Sequence, residues 1–319
     1  MQGGNERYNT VILLGPTAVG KTALGVRIAR HFGWDIISAD SRQVYEGLDL
    51  GSGKDLDEYK AGGDEIQVHL IDRATLAQEY NVFKFQQDFY SLFDSMTAAG
   101  KMPFVVGGTG MYVDAVARGY DFMPVPRNDA LRMELEGAPL ESLAGMLLDL
   151  RPDLHNRSDL TDRERALRAI EIALYMRSPE CGRARGEVPP RPRINCFIMG
   201  TTLPRETLRS NIDKRLRERM EQGMIQEVEG LHAQGFSWER LEKLGLEYRF
   251  ISLFLEGKIS SVEEMRERLY HAICQFAKRQ ETWFRGMEKK GAAIHWLPCT
   301  QDKDARFNAA LELIEKNVL

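Results

Sequence analysis

No two of the four cysteines, Cys181, Cys196, Cys274 and Cys299, fall at C-x-x-C spacing, which removes the usual basis for a structural zinc site or a disulfide framework. Long apolar runs are missing too: nothing approaches membrane-spanning length, and the first nine residues are polar where a secretory leader is hydrophobic. The expectation is a cytoplasmic protein with plain thiols and no membrane partner. Charge of one sign is also lacking. A net charge of −4 over 319 residues gives no global sign of nucleic acid, although an RNA-binding enzyme can keep its basic residues local. Internal repeats and low-complexity linkers are absent, and the length suits one elaborated domain or two domains.

What is present is organised around Gly15-Pro16-Thr17-Ala18-Val19-Gly20-Lys21-Thr22, which fits G-x-x-x-x-G-K-[ST] without a gap. The apolar run Thr10-Val11-Ile12-Leu13-Leu14 precedes it and an amphipathic run from Lys21 to Phe32 follows, the order of strand, glycine turn and helix that a phosphate cradle requires. Without that order the motif would be an incidental turn. Its glycines let backbone N–H groups close around an anion at a helix N-terminus, where unpaired donors and the helix dipole favour negative charge. Lys21 adds a full positive charge, and the Thr22 hydroxyl can be offered to Mg²⁺. The motif leaves open whose phosphates it holds.

Residues 34–39 read as a second buried strand that delivers Asp40 to its carboxyl end. Ligands of open α/β sheets sit beyond the carboxyl ends of the strands, so Asp40 is expected in the same crevice as Lys21. There it could serve as general base, sit near a metal, or cap the next turn. Ser41, Arg42, Gln43 and Tyr45 follow on an exposed loop or short helix, and 47–54 reads as another crevice loop. Residues 66–71 look like a short strand in which His69 is packed, since no second His or Cys lies at metal spacing. Asn81 is the expected N-cap of a helix through Ala98 with Phe85, Phe89, Leu92, Phe93 and Met96 on its buried stripe. A third buried strand, 102–106, runs into Gly107-Gly108-Thr109-Gly110, a sharp turn that brings the Thr109 hydroxyl close to a ligand. Motor ATPases and GTPases end such a strand in an acid that helps hold the metal; the glycine here disfavours hydrolysis-driven machinery.

From residue 123 the alternation of strand and helix stops. Eight prolines between positions 124 and 192 punctuate short helical segments, so 123–193 reads as a helical insertion. The α/β core then comprises 1–122 and 194–319. Ten arginines and no lysine between 151 and 193 point either to a phosphate backbone or to a solvated, ion-paired surface. A helix near 163–177 buries Leu167, Ile170 and Leu174 and leaves Arg165 and Arg168 on another side. Residues 194–200 resume the sheet, and Pro204 opens a polar helix through 222 in which Arg205, Arg209, Lys214, Arg215, Arg217 and Arg219 are mostly expected at the surface. Ser261 with Glu264 makes a capping box for a long helix whose core stripe is Met265, Leu269, Ile273, Phe276 and Trp283, with Lys278, Arg279 and Arg285 outside it. A strand at 292–297 and a terminal helix complete the chain. The fold class is α/β: a P-loop NTPase-like three-layer core with a parallel sheet, plus the helical insertion.

Six motifs occur in order: the loop at 15–22; Ser38-Ala39-Asp40-Ser41-Arg42-Gln43-Val44-Tyr45; His69-Leu70-Ile71-Asp72; Val106-Gly107-Gly108-Thr109-Gly110-Met111-Tyr112; Arg165-Ala166-Leu167-Arg168-Ala169-Ile170-Glu171; and Ala277-Lys278-Arg279-Gln280 before Trp283 and Arg285. Each is weak alone, but the ordered set, spread through nearly the whole chain, resembles the tRNA dimethylallyltransferases, also called tRNA isopentenyltransferases. The resemblance implies transfer of dimethylallyl from dimethylallyl diphosphate to the exocyclic amine of the adenine just 3′ of the anticodon in tRNA, by a monomer with Mg²⁺ as cofactor. The diphosphate is then a leaving group, which accounts for the missing hydrolytic acid. By the same resemblance Lys21, Thr22 and Arg215 bind the diphosphate in the 15–22 loop, with Mg²⁺ at Thr22. Asp40 orients the amine and accepts its proton, and Thr109 contacts the bridging oxygen or reacting centre. Asp40, Ser41, Arg42 and Gln43 hold the flipped base, while Arg132, Glu164, Arg165, Arg168, Lys278, Arg279 and Arg285 position the tRNA.

The chain departs from the family's usual residues at four places. Glu247-Tyr248-Arg249-Phe250 stands for Gly-Tyr-Lys/Arg-Glu/Gln, Ile273-Cys274-Gln275 for Thr-Arg-Gln, Thr161-Asp162 for an asparagine-aspartate pair, and Asn211 where arginine is common. None falls in the cradle or on Asp40, so intact chemistry with altered tRNA preference is expected, as in a second, divergent copy. The residues leave two rivals: a small-molecule or nucleotide kinase using ATP, disfavoured by the insertion and by residues 40–43, and an RNA-binding protein without activity.

Overall fold

The structure, a computed structural model, describes residues 7–319 apart from 61, 64, 155, 156, 188 and 189. Six strands, β1 (Thr10–Leu14), β2 (Ile36–Ala39), β3 (Val68–His69), β4 (Phe104–Gly107), β5 (Cys196–Gly200) and β6 (Ile294–Trp296), form one all-parallel sheet in the order β3-β2-β4-β1-β5-β6. Up to residue 120 the helices are α1 (Lys21–Phe32), α2 (Asp57–Lys60), α3 (Val82–Ala98) and α4 (Gly110–Arg118). Then come α5 (Asp129–Glu134), α6 (Leu140–Leu150), α7 (Arg163–Met176) and α8 (Pro179–Glu187). After β5 follow α9 (Arg205–Glu221), α10 (Met224–Ala233), α11 (Trp238–Glu242), α12 (Leu246–Leu255), α13 (Val262–Lys289) and α14 (Lys303–Asn317). The chain divides into two compact units, one running to Tyr120 and resuming at Pro192–Leu319, the other Asp121–Arg191.

β1 is buried along its whole length, as a continuous apolar strand must be when helices cover both faces of a parallel sheet. Side chains alternate between the faces, and the packing follows parity. Val11 and Leu13 pack with Leu24, Val26 and Ile28 of α1 and Ala310 and Ile314 of α14. Ile12 and Leu14 pack with Phe85 and Phe89 of α3, Val113 and Val116 of α4, and Phe284 and Met287 of α13. Those are the three layers. Strand register then positions the site: Leu14 and Ala39 both lie level with Gly107 on the intervening β4, so Gly15, Asp40 and Gly108 leave the sheet at one edge. A third cluster, with Leu208, Ile212, Met224, Val228, Tyr248, Ile251, Met265 and Leu269, joins α9, α10, α12 and α13 to Val44, Tyr45 and Leu48 beyond β2.

Two expectations need correction. The strand expected at 66–71 pairs only at Val68–His69, because Leu70 (φ 63°) and Asp72 (φ 51°) turn into the left-handed region and break the extended backbone. His69 is packed as expected, 3.4 Å from Asp35. On α13 the buried line is Met265, Leu269, Ile273, Ala277, Gln280, Phe284 and Met287, whereas Phe276 and Trp283 are exposed. A spacing of three or four fits either line; contact with the sheet selects the second. On α9, Arg219 is buried and Arg215 half-buried, while Lys214 and Arg217 are exposed. Asn81 caps α3 through the Lys84 amide, and Ser261 caps α13 through the Glu264 amide, although the Glu264 carboxylate accepts from Ser260.

The second unit has its own core of Leu143, Leu147, Ala166, Leu167 and Ile170, with Leu174 half-buried against it. At its centre is the buried Glu171 carboxylate, which accepts from Arg132 at 2.7 Å, Arg168 at 2.9 Å and the Asn128 amide at 3.2 Å. Among the described residues no helix is long and apolar enough to cross a membrane.

Candidate active site

The loop between β1 and α1 turns through Ala18 (φ 59°) and Gly20 (φ 81°), two left-handed residues that let successive amides converge on one point. Only glycine fits at position 15, where a Cβ would come within 2.4 Å of the Thr201 carbonyl. Lys21 Nζ donates to the Pro16 carbonyl at 2.6 Å, bringing the ammonium back over the loop. Gln280, buried on α13, clasps the loop to β4: its Oε1 accepts from the Thr17 amide at 2.8 Å and its Nε2 donates to the Gly108 carbonyl at 2.7 Å.

Asp40 follows β2. Its Oδ1 accepts from the Arg42 amide at 2.8 Å and the Gln43 amide at 3.4 Å, which fixes the carboxylate, while Oδ2 has no hydrogen-bond partner among the described residues. The Thr109 Oγ1 accepts from the Ser41 amide at 3.0 Å and donates its own proton to Ser41 Oγ at a long 3.4 Å. Gln43 is a structural clasp. Its amide donates to the Gly53 carbonyl and accepts from Ser38 Oγ, tying the 47–54 loop to β2. That loop is also gripped by Glu227 of α10, which accepts from the amides of Asp49, Leu50 and Gly51 and from the Tyr248 hydroxyl at 2.6 Å. Lys54, fully buried, pairs with Asp49 at 2.7 Å and with Asp72.

Thr17, Lys21, Thr22, Asp40, Ser41, Arg42, Gln43, Thr109, Arg215 and Arg279 line one cavity of about 380 Å³, within the size range of small-ligand sites. Burial lowers the Lys21 ammonium to about 8; neighbouring Arg215 adds to the fall and Asp40 opposes it. Burial, then Arg219, pushes the Arg215 guanidinium down as well. Two cations crowded in a desolvated pocket await an anion. Arg219 is already neutralised by Asp55 at 2.9 Å, whereas Arg215 has no ion pair among the described residues.

The other arginines expected at tRNA are engaged within their own unit. Arg132 pairs with Glu164 at 2.8 Å as well as with Glu171, Arg165 with Asp159 at 3.0 Å, and Arg168 also donates to the Val125 carbonyl at 2.7 Å. Lys278 and Arg285 are exposed on α13 but do not line the cavity. Ala18, Val19 and Gly20 border a neighbouring cleft.

Residues 43–287 match the family described as IPP transferase. The chain belongs to the IPP transferase family. It is 51% identical over 294 residues to tRNA dimethylallyltransferase 2 of Treponema denticola, covering 92% of this chain and 97% of the relative. Against tRNA dimethylallyltransferase 1 of Syntrophus aciditrophicus it is 49% identical, covering 91% and 93%. The full-length tRNA isopentenylpyrophosphate transferase of Bacillus halodurans superposes with a TM-score of 0.68 at 27% identity over 98% of both chains. A eukaryotic dimethylallyltransferase acting on tRNA shares the fold, with a TM-score of 0.77 at 23% identity over 96% of this chain and 78% of that one.

Sequence order places this IPP transferase's departures away from the cradle and Asp40; the tertiary structure brings several to the site. Glu247 and Ile273 line the same cavity as Lys21 and Asp40. Asn211 donates to the Ala18 carbonyl at 3.2 Å, touching the phosphate loop. Enclosure raises the Glu247 carboxyl above its usual range, against the pull of Arg219 and Arg215. Sequence reasoning also missed Tyr59, Arg249, Phe276 and Gln280 as lining residues. Gln280 closes the motif at 277–280, which could have signalled it, whereas Phe276 fits the expected core stripe and gave no sign of lining a cavity.

Proposed function

We propose that this IPP transferase moves the dimethylallyl group of dimethylallyl diphosphate onto the exocyclic N6 of the adenine 3′-adjacent to the anticodon in tRNA, acting as a cytoplasmic monomer. The carrying observation is the cavity that Lys21 and Arg215 line together with Asp40, whose Oδ1 is fixed and whose Oδ2 has no partner among the described residues. The two cations and the loop amides bind the diphosphate and favour the charge that grows on it as the carbon–oxygen bond breaks. N6 forms the new bond to the same carbon, and its proton passes to Asp40 Oδ2. Thr109, whose hydroxyl proton is held only by a long bond to Ser41 Oγ, turns to donate to the bridging oxygen that becomes the leaving oxygen.

Mg²⁺ fits the donor set. No cluster of three His, Cys, Asp or Glu side chains suited to an ion occurs among the described residues, but the Thr22 hydroxyl lines the cavity beside Lys21. Mg²⁺ commonly keeps waters and takes phosphate oxygens with few protein ligands, so Thr22 would hold it together with the substrate. When bound, the ion supplies charge neutralisation of the leaving diphosphate. Purified protein given Mg²⁺, dimethylallyl diphosphate and unmodified tRNA should yield prenylated adenine. Asp40→Ala should abolish the product while diphosphate binding persists; unchanged turnover rejects the role of Asp40. Phosphoryl transfer from ATP to a small molecule without RNA would instead favour a kinase.

A further inference from the structure

Most of the cavity wall is buried or half-buried, and its only exposed lining residues among those described are Lys243, Arg249, Phe276 and Arg279. The mouth is therefore three cations and one phenyl ring. Phe276 is 38% exposed, and the Arg279 guanidinium carbon sits 5.8 Å from its ring centroid. Arg249 has no ion pair among the described residues, and Lys243 has only a surface contact with Glu239 at 2.7 Å, which a phosphate can displace at little cost. An exposed aromatic set among uncommitted cations is the composition of a single-stranded nucleic acid surface, where a base stacks and its phosphates are neutralised.

A physical demand matches this supply. An adenine that leaves its stack to reach Asp40 uncovers the face of its neighbour, and that face must be covered again or the flip costs more. The five-carbon prenyl group has apolar wall at Val106, Leu246 and Ile273, all less exposed than Phe276, and does not require a ring at the mouth. We propose that Phe276, flanked by Arg279, is a stacking shelf for an unpaired nucleobase next to the target adenine, with Lys243 and Arg249 taking the adjoining phosphates. This deepens the tRNA reading above and rests on it.

The test uses the full chain and an anticodon stem-loop RNA carrying 2-aminopurine at either position flanking the target adenine. Binding should change the emission at one flanking position with the wild type and with Phe276→Tyr, and the change should vanish with Phe276→Leu, which keeps the apolar bulk and removes the π face. RNA affinity should fall about 5- to 150-fold in Phe276→Leu and recover in Phe276→Tyr, the range expected of one lost base stack. KM for dimethylallyl diphosphate should not follow. Equal emission changes in wild type and Phe276→Leu would overturn the shelf. So would a rise in donor KM at constant RNA affinity, which would make Phe276 a wall of the prenyl site. The emission readout needs no turnover, so stacking without product would reject the transferase and keep the shelf, and failure of the wild type to bind RNA would reject both.

Discussion

Lys21→Met should make the protein more stable while removing its grip on diphosphate. Burial and Arg215 lower the ammonium from 10.5 to about 8, so keeping it charged in the folded state at neutral pH costs roughly 3 kcal/mol, at about 1.4 kcal/mol per pH unit. Methionine fills similar space without a charge but forfeits the bond to the Pro16 carbonyl, worth about 1–2 kcal/mol. The net gain is about 1–2 kcal/mol at pH 7. Its pH dependence has a definite sign. Below pH 8 the wild type is protonated in both states and the variant keeps its full advantage. Between about 8 and 10.5 the unfolded wild type holds a proton that the folded one has released, so the wild type gains roughly 1.4 kcal/mol per pH unit on the variant. By about pH 9.5 the order should reverse. Urea unfolding of both proteins at pH 7 and pH 9.5, with calorimetry of inorganic diphosphate binding, checks all parts. A variant less stable at pH 7, or a difference that ignores pH, refutes the reasoning.

Gln280→Leu should cost about 2–5 kcal/mol of unfolding free energy, because the Thr17 amide and Gly108 carbonyl lose their partners together; denaturant melts read it, and a loss below about 1 kcal/mol would mean the clasp is dispensable. Glu171→Ala should cost about 3 kcal/mol, since it leaves Arg132 only the exposed Glu164 and Arg168 only backbone carbonyls, and hydrogen exchange should place the loss in α5 and α7 rather than in the sheet. Glu247→Gln should tighten inorganic diphosphate binding, and the gain should grow as pH rises, because burial displaces the enclosed carboxyl's ionisation upward and only the ionised form repels the anion. A gain that stays constant across a full calorimetric pH series would show that the group does not titrate beside the anion.

Local chemistry made much of this legible in the chain alone. The loop at 15–22, the apolar runs of β1, β2 and β4, and the Asn81 and Ser261 caps are each specified within a few residues, because turn geometry, capping and hydrophobic periodicity act at short range. Placing Asp40 beside Lys21 needed only the rule that strand ends share an edge in a parallel sheet. The sequence could not choose between the two lines on α13, because both satisfy helical spacing and only contact with the sheet buries Ala277, Gln280 and Phe284 while leaving Phe276 at the cavity mouth. Nor could composition tell that Arg132 and Arg168 are committed to Glu171, that Gln280 bonds to a loop more than two hundred residues earlier, or that Glu247 shares a cavity with it. Those facts depend on contacts across the chain, and the energy of an enclosed charge is set by its neighbours in space.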